Sequence, residues 1–270
     1  MNPNKALWEK GDFTKLAAGM RESGEKLVES LNIEPGMYVL DLGCGDGTTA
    51  VPAACRGAEV LGVDIAENLV AAGNARAIAA GLENLRFEEG DASALGNLAD
   101  DTFDLVLTMF GAMFAPRPFD VAQEMVRVTR SGGRIVMGNW IPNDPTLVAQ
   151  ILKTSAAYTP PPPEGFVSPM LWGVEDNVRE RFAAAGIPEG NIDFERATYV
   201  FKNDFPPSEL LQNFKHYYGP MMNAFEAAAE NGNSDTLVSE LTQLFESLNI
   251  GGADITEIPA TFLKVVVMKP

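Results

Sequence analysis

Histidine and cysteine are almost missing from this chain, which has one His and two Cys in 270 residues. That scarcity excludes a disulfide framework and a Cys/His zinc cluster, and it suits a reducing compartment. Basic residues are also few, with 20 Lys plus Arg against 37 Asp plus Glu and a net charge of −17. The deficit is shared: residues 1–150 carry 12 basic and 21 acidic side chains, and residues 151–270 carry 8 and 16. Neither half offers a basic face to a phosphate backbone, so nucleic acid is not an expected partner, and the acidic surface serves solubility. No window approaches 18 consecutive apolar residues, and none joins a basic stretch to an apolar one and a cleavage site. Membrane insertion and secretion are therefore not expected, and a cytoplasmic location is. What remains is a globular composition, 46% hydrophobic and 21% charged, long enough for a full core.

Between residues 37 and 137 short apolar runs alternate with helix-like stretches. Strands are expected at 38–42, 59–63, 86–89, 103–108 and 134–138, and helices at 48–55, 67–80 and 118–130. Strands separated by helices give an α/β class: a doubly wound, mostly parallel, seven-stranded Rossmann-like sheet receiving ligands at its carboxyl edge. Further on, helices are expected at 146–157 and 175–185, strands at 193–201 and 262–268, and mostly helix over 208–248. The proline run Pro160 to Pro163 reads as a stiff connector rather than a peptide ligand. Residues 11–31 read as one amphipathic helix within an N-terminal lid segment, 1–36. Residues 37–270 form the main domain, with a helical cap inserted near the C-terminus at 206–250 and a second cap segment at 143–172.

The strongest local signal is VLDLGCGDGTTA, residues 39–50, an apolar strand running into Gly43, Gly45 and Gly47 and then a helix. Glycines there permit a tight turn and let backbone N–H groups approach a ligand. Asp41 sits inside the strand end, where a carboxylate needs a cation or donors. Asp64 closes the second strand, where a carboxylate accepts from ribose hydroxyls, and Asp91 follows the third, placed for an exocyclic amine. A ligand with an amino group, a ribose and an adenine satisfies all three, and S-adenosylmethionine is such a ligand. A nicotinamide-binding fingerprint would want Gly or Ala at position 48, where this chain has Thr48. The competing readings are a cofactor-binding regulatory or inactive protein and, behind it, an NAD-dependent oxidoreductase.

With these residues the chain resembles the class I S-adenosylmethionine-dependent methyltransferases, more loosely the ubiquinone- and menaquinone-biosynthesis-like branch. VLDLGCGDGTTA is similar to their first motif, VLGVDIAENLV to the ribose-binding strand end and FEEGDASAL to the adenine-binding turn. FDLVLTMFGAMF and SGGRIVMGNW are similar to the fourth and fifth strands, and stretches such as PPPPEGFVSPMLWG and YYGPMMNAFE extend the likeness towards the C-terminus. The resemblance implies S-adenosylmethionine as cofactor, with S-adenosylhomocysteine as product. It places Gly43, Cys44, Gly45 and Gly47 along the methionine part, with Asp41 near its amino group. Asp64 takes the ribose, Ile65 packs on the adenine, Asp91 takes its amine and Ala92 a ring nitrogen, while Met109 and Phe110 close the methionine end.

Methyl transfer needs alignment and exclusion of water, and a base only for a protonated acceptor. The sole histidine, His216, is the candidate base. Phe114, Asn139, Trp140, Trp172, Tyr217 and Tyr218 are candidate contacts to the acceptor, expected to be a small, partly apolar or aromatic metabolite. No acidic cluster follows the fourth strand, so no metal is expected.

Overall fold

A computed structural model describes residues 4–270, so residues 1–3 of the expected lid segment lie outside it. Seven strands form one sheet in the order β3-β2-β1-β4-β5-β7-β6. They are β1 (Tyr38–Leu42), β2 (Glu59–Asp64), β3 (Leu85–Glu89), β4 (Phe103–Met109), β5 (Thr129–Trp140), β6 (Ile192–Asn203) and β7 (Thr256–Met268). The first five run parallel, while β7 lies antiparallel to both β5 and β6. The helices are α1 (Lys5–Glu9), α2 (Thr14–Ala17), α3 (Arg21–Ser30), α4 (Ala50–Cys55), α5 (Glu67–Ala79), α6 (Pro118–Val128), α7 (Leu147–Ala156), α8 (Glu175–Ala184), α9 (Pro207–Tyr217), α10 (Gly219–Glu230) and α11 (Ser234–Leu248). This is the expected α/β class.

The central strands are apolar on both faces because both are covered. Along them alternate residues enter different cores: Leu40, Val106, Ile135 and Met137 join one cluster, while Val39, Leu105, Leu107 and Val136 join the other. Helix α6 begins on Pro118, whose missing N–H costs nothing in a first turn, and buries Val121, Ala122, Met125 and Val128. None of the helices among the described residues is long and apolar enough to cross a membrane.

Three differences from the expected elements matter for the site. The single helix expected over 11–31 is broken into α2, a 3-10 turn at Ala18–Met20, and α3. At the break the side chain of Asn203 packs on Gly19, where an added Cβ would sit 2.7 Å from the amide nitrogen and would displace that side chain. Strand β7 starts at Thr256 rather than 262, because the buried alternation Thr256, Ile258, Ala260, Phe262 continues through Pro259. Strand β6 pairs with it from Ile192↔Val267 to Asn203↔Thr256, far beyond the Trp140↔Phe262 end of the β5–β7 ladder. This long β6–β7 hairpin rises above the carboxyl edge, and α9, α10 and α11 are inserted between its strands.

Candidate functional site

The carboxyl ends of β1, β2, β4 and β5 open onto one cavity of about 1180 Å³, counted with its mouth. On one side it is walled by the turn after β1. Gly43, Gly45 and Gly47 all have positive φ, at 67°, 55° and 89°. Gly43 lies directly against Gly111 after β4, with the hypothetical Cβ of Gly43 only 2.7 Å from the Gly111 Cα. The two glycines together bring β1 and β4 close enough to shape the floor.

Asp41 is buried beneath this turn, its Oδ2 accepting from the Thr49 hydroxyl at 2.6 Å. Its Oδ1 is buried and has no partner among the described residues. Burial pushes this carboxyl up to about 7, with Asp64 adding to the rise and the Thr49 hydroxyl opposing it. Asp64 is also raised by burial, and it accepts from the Gly45 N–H at 2.8 Å and the Ala66 N–H at 3.0 Å. It therefore ties the glycine turn to the start of α5. The Cys44 thiol is pushed well up by burial and is no thiolate at neutral pH.

Ile65, Gly90 and Ala92 line the cavity beyond Asp64. The Asp91 carboxylate is folded back on its own turn, accepting from the Ser93 N–H at 2.9 Å and hydroxyl at 2.7 Å. Met109 and Phe110 close this part, and Phe110 does so in a left-handed conformation, φ 63°, with its ring stacked 3.7 Å from that of Trp140. Strain in a non-glycine residue at a cavity wall is tolerated only where the surroundings enforce it. Here the Phe110 N–H is held by the Gly138 carbonyl.

The remaining wall is aromatic. Trp8 and Phe13 come from the N-terminal segment, Phe114 from the loop after β4, Tyr199 and Phe201 from the raised end of β6, and Phe214 and Tyr218 from α9 and its end. Trp8 packs 5.0 Å from Phe114 and 5.9 Å from Tyr218, so the N-terminal segment and the inserted helices meet over the cavity. No Lys, Arg or His is among the described residues lining it. Burial pushes the Tyr199 and Tyr218 hydroxyls upward, so neither acts as a base near neutral pH.

Of the residues singled out in the sequence, Gly43, Cys44, Gly45, Asp64, Ile65, Ala92, Met109, Phe110, Phe114, Trp140 and Tyr218 line this cavity. Asp41 lies behind the turn, and Gly47 is turned towards Phe87 and Val51. The structure does not bring His216 there. It is exposed on α9 with its Nδ1 2.8 Å from the Gln212 carbonyl, one turn back. Tyr217, half-buried, also lies outside the lining, as does the buried Asn139, whose side-chain nitrogen has no partner among the described residues. Trp172 is core, stacked under the Arg181 guanidinium at 4.4 Å and edge-on to Phe182. Sequence reasoning missed Trp8, Phe13, Tyr199 and Phe201. The alternation of Tyr199 and Phe201 on one strand face is the signal that was available for two of them.

Gly45 separates fold from binding. A Cβ added to it meets nothing within 4 Å among the described residues, so Gly45→Ala carries only the left-handed penalty of about 1–2 kcal/mol. Its methyl group would stand in the cavity wall, and we expect a folded protein with sharply weakened cofactor affinity, read by thermal unfolding and by titration.

Among known proteins, the family described as "Methyltransferase domain" matches residues 40–137. An uncharacterized protein of Mycobacterium tuberculosis is 35% identical over 243 residues, 89% of this chain and 86% of that protein. The demethylmenaquinone methyltransferase of Renibacterium salmoninarum is 33% identical over 114 residues, 42% of this chain and 46% of that enzyme. In the solved structure of the YcgJ protein from Bacillus subtilis the same fold recurs with a TM-score of 0.59 at 19% identity, covering 92% of this chain and 99% of that one.

Proposed function

The chain belongs to the class I S-adenosylmethionine-dependent methyltransferases, and from that premise we propose that it methylates a small, uncharged, partly apolar or aromatic metabolite held against the aromatic wall. S-adenosylmethionine is its cofactor, and the residues present fit it. The orphaned Asp41 Oδ1 is a buried acceptor matched to an ammonium, and Gly45 leaves open space beside the turn. Both Asp64 oxygens, already holding one backbone N–H each, retain lone pairs for ribose hydroxyls. The cofactor supplies an electrophilic methyl group on a sulfonium whose sulfur departs neutral.

The observation that carries the acceptor class is the composition of the aromatic wall. Seven aromatic side chains and, among the described residues, no cation form the wall on the acceptor side, and the polar groups they carry are two tyrosine hydroxyls and one indole N–H. An anionic acceptor finds no partner charge, and a charged group desolvated without one is costly. With no base lining the wall, the accepting atom must be nucleophilic on its own account. The protein's part is then orientation and exclusion of water, which supply up to about 7–11 kcal/mol of a barrier. In this reading residues 37–270 are the catalytic domain, residues 4–36 a lid, and residues 143–172 and 206–250 cap segments.

The test is incubation with methyl-labelled S-adenosylmethionine and, separately, the small-molecule, RNA and protein fractions of a bacterial extract. We expect label in the small-molecule fraction, extractable into organic solvent. Label predominantly in RNA or protein would contradict the proposal.

Cofactor affinity should also depend on pH with a defined sign. Below about pH 7 Asp41 is protonated in the unliganded protein and must lose its proton before pairing with an ammonium. Affinity for S-adenosylhomocysteine should therefore fall as pH drops below 7, approaching tenfold per unit. Titrations across pH 5.5–9 check this, and Asp41→Asn should flatten the acid limb.

A further inference from the structure

The cavity gathers carboxyl groups and lacks cations. Asp64 and Asp46 line it, and Asp41 lies just behind. The cofactor's amino-acid end carries a carboxylate on the same carbon as the ammonium that Asp41 suits, so that carboxylate enters an acidic neighbourhood and needs a positive partner.

Two guanidiniums stand behind this wall, both against Asp46, the lining residue between Gly45 and Gly47. Arg21 Nη2 lies 2.8 Å from Asp46 Oδ2, and Arg76 Nη1 lies 2.6 Å from the Asp46 carbonyl oxygen and 3.6 Å from Oδ2. One carboxylate thus serves two cations. Arg76 is committed to the Asp46 backbone, and Glu25 partly offsets its charge. Arg21 keeps an unused edge: its Nε is buried and, like Asp46 Oδ1, has no hydrogen-bond partner among the described residues. A guanidinium bound through one nitrogen can still present another to a second carboxylate.

Its position suits that role. Arg21 opens α3 immediately after Ala17 and Met20, which line the cavity. One turn later Gly24 lies against Thr48, with a hypothetical Cβ 2.7 Å from the Thr48 carbonyl oxygen. Helix α3 is therefore seated against Thr48, next to Thr49, the partner of Asp41. We propose that Arg21, shared with Asp46 in the unliganded protein, binds the carboxylate of the cofactor's amino-acid end and so couples closure of the N-terminal segment to cofactor binding. This inference rests on the cofactor and not on the acceptor class.

The experiment is calorimetric titration of the full chain with S-adenosylhomocysteine and with 5′-methylthioadenosine, the same thioether nucleoside without the amino acid. Arg21→Gln should weaken S-adenosylhomocysteine by at least about tenfold and leave methylthioadenosine within about twofold, with Arg21→Lys between the two. Unchanged S-adenosylhomocysteine affinity would overturn the proposal. Equal weakening of both ligands would do so as well, since it would assign Arg21 to holding the turn through Asp46. If the glutamine variant does not fold, the wild-type protein still decides. It should bind decarboxylated S-adenosylmethionine at least about tenfold more weakly than S-adenosylmethionine, and equal affinities would overturn the proposal. A wild-type chain that binds methylthioadenosine but not S-adenosylhomocysteine would contradict the carboxylate contact alone, whereas binding neither would overturn the cofactor placement with it.

Discussion

Asp64→Ala should bind S-adenosylhomocysteine about 100-fold or more weakly than the wild-type protein. The carboxylate stands at the carboxyl end of β2 and lines the cavity, where in the proposed placement its two oxygens accept from the ribose hydroxyls. Hydrogen bonds to a charged acceptor contribute about 1.5–3 kcal/mol each, and two of them at the low end already exceed a factor of 100. A second loss compounds the first, because Asp64 also accepts from the Gly45 and Ala66 N–H groups and so fixes the turn the ligand lies on. Calorimetry measures the affinity, and thermal unfolding of the unliganded variant shows whether the fold has survived. A folded variant with wild-type affinity would leave Asp64 as nothing more than a brace for the start of α5.

Tyr218→Ala and His216→Ala should differ widely although they are two residues apart. Tyr218 is buried in the cavity wall against Trp8, Phe13 and Phe214, and His216 is exposed on the outer side of α9. Removing the tyrosine ring opens the acceptor side to water and takes away contact area, so we expect kcat/KM for the acceptor to fall by about 100-fold, with affinity for S-adenosylhomocysteine nearly unchanged. Tyr218→Phe, losing only the hydroxyl, should cost about tenfold. His216→Ala should stay within about twofold of wild type with the same pH profile. A large loss accompanied by a displaced pH profile in His216→Ala would restore the histidine as a general base.

The cofactor side was legible because its chemistry is local. A strand, three glycines and a helix start lie within a dozen residues, and the left-handed φ values at Gly43, Gly45 and Gly47 are what such a turn demands. The acceptor side is assembled from segments far apart in sequence, bringing Trp8 and Phe13 against Tyr218, and no local pattern announces that. Helix α9 shows where a closer reading of spacing would have helped. Leu210, Leu211, Phe214 and Tyr218 recur at three and four residues and are buried, a pattern that turns His216 and Tyr217 to the other side. Trp172 is a candidate contact by sequence as an aromatic residue of the cap segment 143–172. Its neighbours Arg181 and Phe182, brought by α8, make it core instead. The N-terminal helix breaks where Gly19 meets Asn203, a contact across most of the chain that no local pattern shows.

The central claim is that this cavity takes S-adenosylmethionine on its glycine-turn side, and the measurement that tests it most directly is a pair of calorimetric titrations, with S-adenosylhomocysteine and with NAD. The account predicts one S-adenosylhomocysteine per chain with an affinity on the order of micromolar, and no comparable heat from NAD. Saturable NAD binding with no binding of S-adenosylhomocysteine would contradict it.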